Sequence, residues 1–269
     1  MDYEQITYEQ RGRVGLVTLN RPEKLNAWTD KMMREMRHAM DAACAEPTVG
    51  AIVVTGSGRA FCAGADISTF RAAAEAQDEG KSRGDSDATA PGSNWVSYLQ
   101  ELSKPTIAAV NGVAVGIGVT QILPMDIRIA ADSARFGMFF VKMGLVPELA
   151  SSALLPQMVG SARALEWCLT GRLIPAEEAC SAGLVAEVVP AAGLLDRALA
   201  LGEALSSNAA PSMVLIRRLL RENANKNDVV AVMRSEGEAL NVAYSSWEHR
   251  EAIAAFFEKR PADFSKKPA

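Results

Sequence analysis

Histidine is nearly absent: His38 and His249 are the only two in 269 residues. That leaves no imidazole set for a His-based zinc site and no basis for a Ser-His-Asp triad. Cysteine is scarce as well. Cys44, Cys62, Cys168 and Cys180 form no C-x-x-C pair and sit in apolar or helical stretches. They read as reduced structural thiols of a cytoplasmic protein, and no metal site is expected. An excess of positive charge is lacking, since the net charge is −4, so nucleic acid is not an expected partner. The opening "MDYEQITYEQRGRVGLVTLN" is polar and of mixed sign. It lacks the apolar core of a signal peptide. From Pro105 to Met125 charge itself is missing over 21 residues, a length that could span a membrane. Pro105, Asn111, Thr120, Gln121 and Pro124 interrupt that stretch, which divides into a buried strand, a glycine turn and a short helix; no membrane contact is expected.

What remains is the make-up of a soluble globular protein: 49% apolar and 22% charged. The length suits one large domain, or one domain with an appendage. "QITYEQ" and "RVGLVTLN" alternate with period two on either side of Arg11-Gly12 and predict a β-hairpin. "RPEKLNAW" is a turn-rich loop. Thr29 caps a helix running to about Cys44, with Met32, Met33, Met36, Ala39, Met40 and Ala43 on its apolar face. "AIVVTG", "PTIAAVNG" and "DIRIAA" are short apolar strands of a sheet buried on both faces. "SGRAFCAGAD" reads as a Gly-rich loop opening a helix near Asp66. "IGVTQIL" reads as a short helix. The polar, Gly/Ser/Asp-rich 79–93 reads as a mobile loop. Its "GKS" is no P-loop: the first glycine of that motif would fall at Glu75, and no strand precedes it.

Beyond Ser151 the pattern predicts helices over 151–159, 161–170 and 175–181, a strand over 185–190, then helices over 194–206, 211–223, 228–243 and 248–258. No fixed-period repeat is present. The mixed α/β part ends near residue 200, so the expected division is a core over 1–200 and a helical region over 201–269.

Two buried strands lead into glycine-rich loops that open helices, "FCAGAD" and "NGVAVGIGVT". Glycine lets backbone approach a ligand, and the first N–H groups of a helix are free. Two such loops could aim two N–H groups at one developing oxyanion. Each alone is also what a plain strand-to-helix turn looks like. Dinucleotide binding fails at the second loop, where Gly116-Ile117-Gly118 is followed by Gln121 in place of the third glycine.

"FCAGAD", "NGVAVGIG", "DIRIAADSARFGM" and "KMGLVPE", in this order and spacing, resemble the crotonase (enoyl-CoA hydratase/isomerase) superfamily. "VGLVTLNRPEKLNAW" and "FFEKRPADF" are similar to its ends, so the resemblance covers nearly the whole chain. It implies an α/β spiral of β-β-α units, a C-terminal helical trimerisation region, a homotrimer or hexamer, and an acyl-CoA ligand. Coenzyme A would then be part of the substrate, with no separate cofactor. It implies oxyanion donors at the N–H groups of Ala65 and Ile117, the latter where the family usually has glycine. It further implies that CoA passes Lys24, Leu25, Ala27, Ala63, Asp66 and Ile67, and that Phe256 and Lys259 reach its nucleotide from a neighbouring region or subunit. Each has a plainer reading: solvated lysines, a helix cap at Asp66, helix packing at Phe256. Phe70, Trp95, Phe139 and Phe140 could line an acyl pocket or fill the core.

The chain departs from the hydratases of the superfamily. Their two glutamates fall where this sequence has Thr120 and Phe140. Hydration needs a water to be deprotonated and a proton delivered to carbon, and neither side chain can do this. Glu148 is the one charge between Lys142 and Arg163. "PELASS" is similar to the stretch that carries the single glutamate of peroxisomal-type 3,2-trans-enoyl-CoA isomerases. An unpaired glutamate in a dry pocket can take a proton from C2 and return it at C4. The expectation is a 3-enoyl-CoA to 2-enoyl-CoA isomerase with Glu148 as acid/base. The alternatives are an enoyl-CoA hydratase with another carboxylate arrangement, or a non-catalytic acyl-CoA-binding relative. Glu148 is also a plausible helix-terminal residue. A dehalogenase branch carries an aspartate nucleophile at its position.

Overall fold

A computed structural model describes residues 2–67 and 94–265. Phe70 and the segment 79–93 lie outside the described residues. The hairpin is formed by β1 (Ile6–Arg11) and β2 (Val14–Leu19), antiparallel with Ile6 opposite Leu19. Thr29 caps α1 (Asp30–Ala45), its side chain accepting the N–H of Met32. Met32, Met33, Met36, Ala39, Met40 and Ala43 are all buried, as the helical period requires. Full burial of such a side chain contributes about 1.5–3 kcal/mol. Glu35 on the same helix is buried too, at 1% exposure. It accepts the backbone N–H groups of Glu4 and Gln5.

From β3 (Ala51–Gly56) the chain winds as a spiral. It lays a strand in a large sheet, then a three-residue strand in a small one: β4 (Ala60–Cys62) after β3, β6 (Val113–Val115) after β5 (Thr106–Val110), and β8 (Arg135–Gly137) after β7 (Ile127–Ala131). The helix α2 (Trp95–Glu101) precedes β5, and α3 (Ile117–Thr120) follows β6. The large sheet has the order β1-β2-β3-β5-β7-β10, with β10 at Glu187–Val189, and is parallel beyond the hairpin. The small sheet has the order β4-β6-β8-β9, closed by β9 (Leu173–Pro175) running antiparallel to β8.

The sequence reading is corrected here at several elements. "SGRAFCAGAD" contains the strand β4 rather than loop alone, and β6, β8 and β9 were not anticipated. Three residues are too few to show a period of two. The "IGVTQIL" helix shrinks to the four residues of α3, and the strand expected over 185–190 shrinks to β10.

The remaining helices are α4 (Ser151–Val159), α5 (Ser161–Thr170), α6 (Ala176–Ser181), α7 (Leu194–Ser206), α8 (Ala210–Asn223), α9 (Val229–Tyr244) and α10 (Trp247–Glu258). Helix α8 is tied to the core through Asp126. One carboxylate oxygen of Asp126 takes the Arg217 guanidinium at 2.8 Å and that of Arg221. The other takes the N–H and hydroxyl of Thr106. Arg217 also donates to the carbonyl of Leu102 and Arg221 to that of Gln100. Among the described residues no single helix is long and apolar enough to cross a membrane.

Candidate functional site

The site forms where three backbone segments meet: the loop after β4, the turn between β6 and α3, and the stretch from Phe139 to Glu148. Together they enclose a cleft of about 440 Å³. Residues 25–28 clip onto the first loop. Ala63 N–H donates to Leu25 O, Trp28 N–H to Gly64 O and Asp66 N–H to Trp28 O, at 2.8–3.0 Å. Leu25 and Asn26 both take left-handed backbone conformations there. Asn26, fully buried, donates to the carbonyls of Ser57 and Ala60 and accepts the N–H of Arg21. This pattern skips Ala65. The second turn needs glycine twice. Gly116 sits at φ 54°, ψ −121°, a region closed to side chains. A Cβ on Gly118 would lie 2.1 Å from the carbonyl oxygen of Cys62.

Ala65 and Ile117 each follow a positive-φ glycine, Gly64 and Gly116, and both line the cleft. Among the described residues neither of their N–H groups has an acceptor. A backbone donor without a partner is rare in a folded interior. Two of them in one cleft are what an oxyanion hole requires.

The opposite wall is side chain. Phe139 and Phe140 begin a 3-10 turn over Phe139–Met143, and both line the cleft with Met143, Leu145 and Val146. Glu148 is the only ionisable side chain among the described residues that line it. Burial raises its pKa, and a hydrogen bond from Thr120 partly offsets that. This bond, from Thr120 Oγ1 to Glu148 Oε1, corrects the expectation of an unpaired carboxylate. The residues after it, Leu149 and Ala150, stand at φ 52° and 54°. Left-handed conformations cost non-glycine residues about 1–2 kcal/mol each. The Glu148 carbonyl accepts both the N–H and the hydroxyl of Ser151 at the start of α4.

The structure thus brings Ala63, Ala65, Ile67, Ile117, Phe140 and Glu148 together, with Phe139. Leu25 and Ala27 stand directly behind the first loop, and Lys24 is exposed at the end of a 3-10 turn (Pro22–Lys24). Asp66 is paired with Arg21 at 2.9 Å, with both side chains mostly buried. Arg21 also donates to the carbonyl of Ala27. Trp95 is core: it is 1% exposed, donates to the carbonyl of Gln121 and packs edge-on against Trp28. Phe256 and Lys259 are exposed on α10 and just past its end, and the single chain does not place them in the cleft. Sequence reasoning missed Asn26, Arg21 and the structural part played by Thr120. The signal for Asn26 was available, since asparagine in a turn-rich "KLNAW" tolerates the left-handed region better than most residues.

The fold and the cleft with its two vacant donors are those of a crotonase-like protein. Residues 9–267 match the family described as enoyl-CoA hydratase/isomerase, and the chain belongs to that family. It is 36% identical to a probable enoyl-CoA hydratase of Mycobacterium tuberculosis over 99% of this chain and 100% of the relative. It is 34% identical to the 1,2-epoxyphenylacetyl-CoA isomerase of Escherichia coli over 97% and 98%. The crystal structure of an enoyl-CoA hydratase subunit I from Geobacillus kaustophilus superposes with a TM-score of 0.87 at 31% identity, covering 98% of this chain and 99% of that one.

Proposed function

We propose that the chain acts on acyl-CoA thioesters and moves a double bond from the 3 to the 2 position. The observation that carries this is Glu148, the sole ionisable group among the described residues lining a cleft that also holds two backbone donors without an acceptor among them. The thioester oxygen accepts from Ala65 and Ile117. Negative charge that develops there when a proton leaves C2 is met by donors already in place, without reorganisation. Glu148 takes that proton and returns it at C4. A carboxyl raised towards neutrality by an apolar pocket both accepts and releases a proton readily. The aromatic wall of Phe139 and Phe140 excludes the water that would add to the product.

The hydratase alternative draws on the names of the relatives. Against it stand Thr120 and Phe140 at the positions of the hydratase glutamates, with no other carboxylate among the described lining residues. The test is direct. The conjugated-thioester absorbance should appear when 3-enoyl-CoA is supplied. Its disappearance from 2-enoyl-CoA would mark a hydratase, and no change with either would mark a binding protein.

The assembly proposed with this reading is a homotrimer or a dimer of trimers. Its support is the apolar surface left open on the C-terminal helices: Leu220, Val229, Val230, Met233, Phe256 and Phe257 are all more than 60% exposed. Scattered apolar residues are ordinary on a surface, but a concentration of them marks an interface. Light scattering should give at least three times the 28.7 kDa of one chain.

A further inference from the structure

Thr120 stands where the family's hydratases have a glutamate, and it cannot exchange protons. Yet it is fully buried, and its hydroxyl makes one hydrogen bond, to Oε1 of Glu148. The second carboxylate oxygen, Oε2, has no partner among the described residues. Thr120 also lies three residues past Ile117, on the same turn α3. From these placements we infer that Thr120 is the positioning residue for Glu148: it holds Oε1 and leaves Oε2 as the single oxygen that carries the proton.

This rests on Glu148 being the acid/base of the reaction. A hydroxyl donating to Oε1 keeps that bond whether or not Oε2 holds a proton, because Oε1 remains an acceptor in both states. The carboxyl is therefore fixed in rotation while the proton is aboard. The oxygen that removes it from C2 is the oxygen that delivers it to C4. Because Thr120 and the Ile117 N–H share one turn, the oxyanion donor and the anchor of the base keep a fixed relation. Donation to the charged form also favours the carboxylate, so Thr120 limits how far burial raises the proton affinity of Glu148.

No charged neighbour competes for that role among the described residues. Helices α3 and α4 carry no ionisable side chain. Lys142 lies over the Phe139 ring at 4.5 Å, and Asp66 is held by Arg21.

The experiment compares Thr120→Val, Thr120→Ser and Glu148→Gln on 3-enoyl-CoA. Valine keeps the shape and removes the donor. A hydrogen bond to a charged group corresponds to about ten- to a hundredfold in rate. The kcat of Thr120→Val should fall by that factor with KM nearly unchanged, and the acid limb of its pH–rate profile should move to higher pH. Serine restores the donor and should restore both. An unchanged kcat and acid limb in Thr120→Val, with Glu148→Gln inactive, overturns the inference and leaves the proposed function standing. A Glu148→Gln enzyme that keeps its rate overturns the proposed function itself. If Thr120→Val does not fold, Thr120→Cys carries the test: its weak S–H donor should give the same shift at smaller size, and a wild-type profile would overturn the inference.

Discussion

Glu35 and Glu148 are both carboxylates drawn out of bulk water, and their surroundings differ in kind. Glu35 lies inside α1, 1% exposed, and both its oxygens accept backbone N–H groups from Glu4 and Gln5. Glu148 stands on a loop, half-buried and lining an apolar cleft, with one oxygen held by a hydroxyl and the other without a partner among the described residues. Burial alone thus says little about function. A carboxylate with every oxygen satisfied by the backbone is part of the frame, holding the N-terminal strand to the first helix. One left with a spare oxygen beside two vacant N–H donors has capacity to react.

The comparison breaks most sharply in exchange experiments. Glu148→Gln should lower isomerase turnover by ~10²–10⁴-fold, the usual contribution of a general acid/base group. Circular dichroism and CoA affinity should stay at wild-type values. Glu35→Gln should do the reverse. An amide nitrogen would face the N–H groups of Glu4 or Gln5, leaving a buried donor unmet at a cost of about 1–3 kcal/mol. Urea denaturation should register that loss while turnover per folded molecule is unchanged.

A smaller effect sharpens the contrast through pH. Burial raises the Glu148 pKa above its ordinary 4.5. The folded state therefore binds this proton more tightly than the unfolded chain does. The stability tied to it is fully present below the ordinary value and is lost as pH climbs through the higher folded value. Glu148→Gln should melt above the wild type at neutral pH, and the difference should close in acid. A gap that widened in acid would contradict the buried-carboxyl assignment.

The smallest effect concerns the loop itself. Ala150 is exposed at φ 54°, and Ala150→Gly should relieve about 1–2 kcal/mol of left-handed strain. Glycine's greater freedom in the unfolded chain offsets about 0.4–1 kcal/mol of this. The net gain should be about 0–1.6 kcal/mol by chemical denaturation, and a loss of stability would show that the turn is not strained.

Much of the fold was legible because its periods were long enough to read. Helix α1, the hairpin, β3, β5, β7 and α4 to α10 fell within a residue or two of their expected places. The small sheet was not legible. Its strands β4, β6, β8 and β9 are three residues each, and β4 and β6 are embedded in glycine-rich loops whose turn chemistry dominates the pattern. In the site, glycine spacing announced Ala65 and Ile117, and isolation in an apolar run announced Glu148. The bond from Thr120 could not be read, because it joins residues 28 apart that only the spiral brings together. The left-handed turn at Asn26 was readable, but its bonds to the carbonyls of Ser57 and Ala60, 31 and 34 positions away, were hidden for the same reason, as was the pairing of Arg21 with Asp66, 45 positions away.

Asp126 has a consequence for how the molecule comes apart. Its side chain is 14% exposed and joins the start of β5 to two arginines of α8. Detaching α8 would strand that charge in a largely buried place, and breaking such a pair costs about 3–5 kcal/mol. The C-terminal helices therefore share their unfolding free energy with the spiral. The division expected near residue 200 falls inside α7, and calorimetry should record one transition with equal calorimetric and van't Hoff enthalpies. A chain ending after α7 would lose both guanidiniums at once, and its spiral would melt at a lower temperature than the whole.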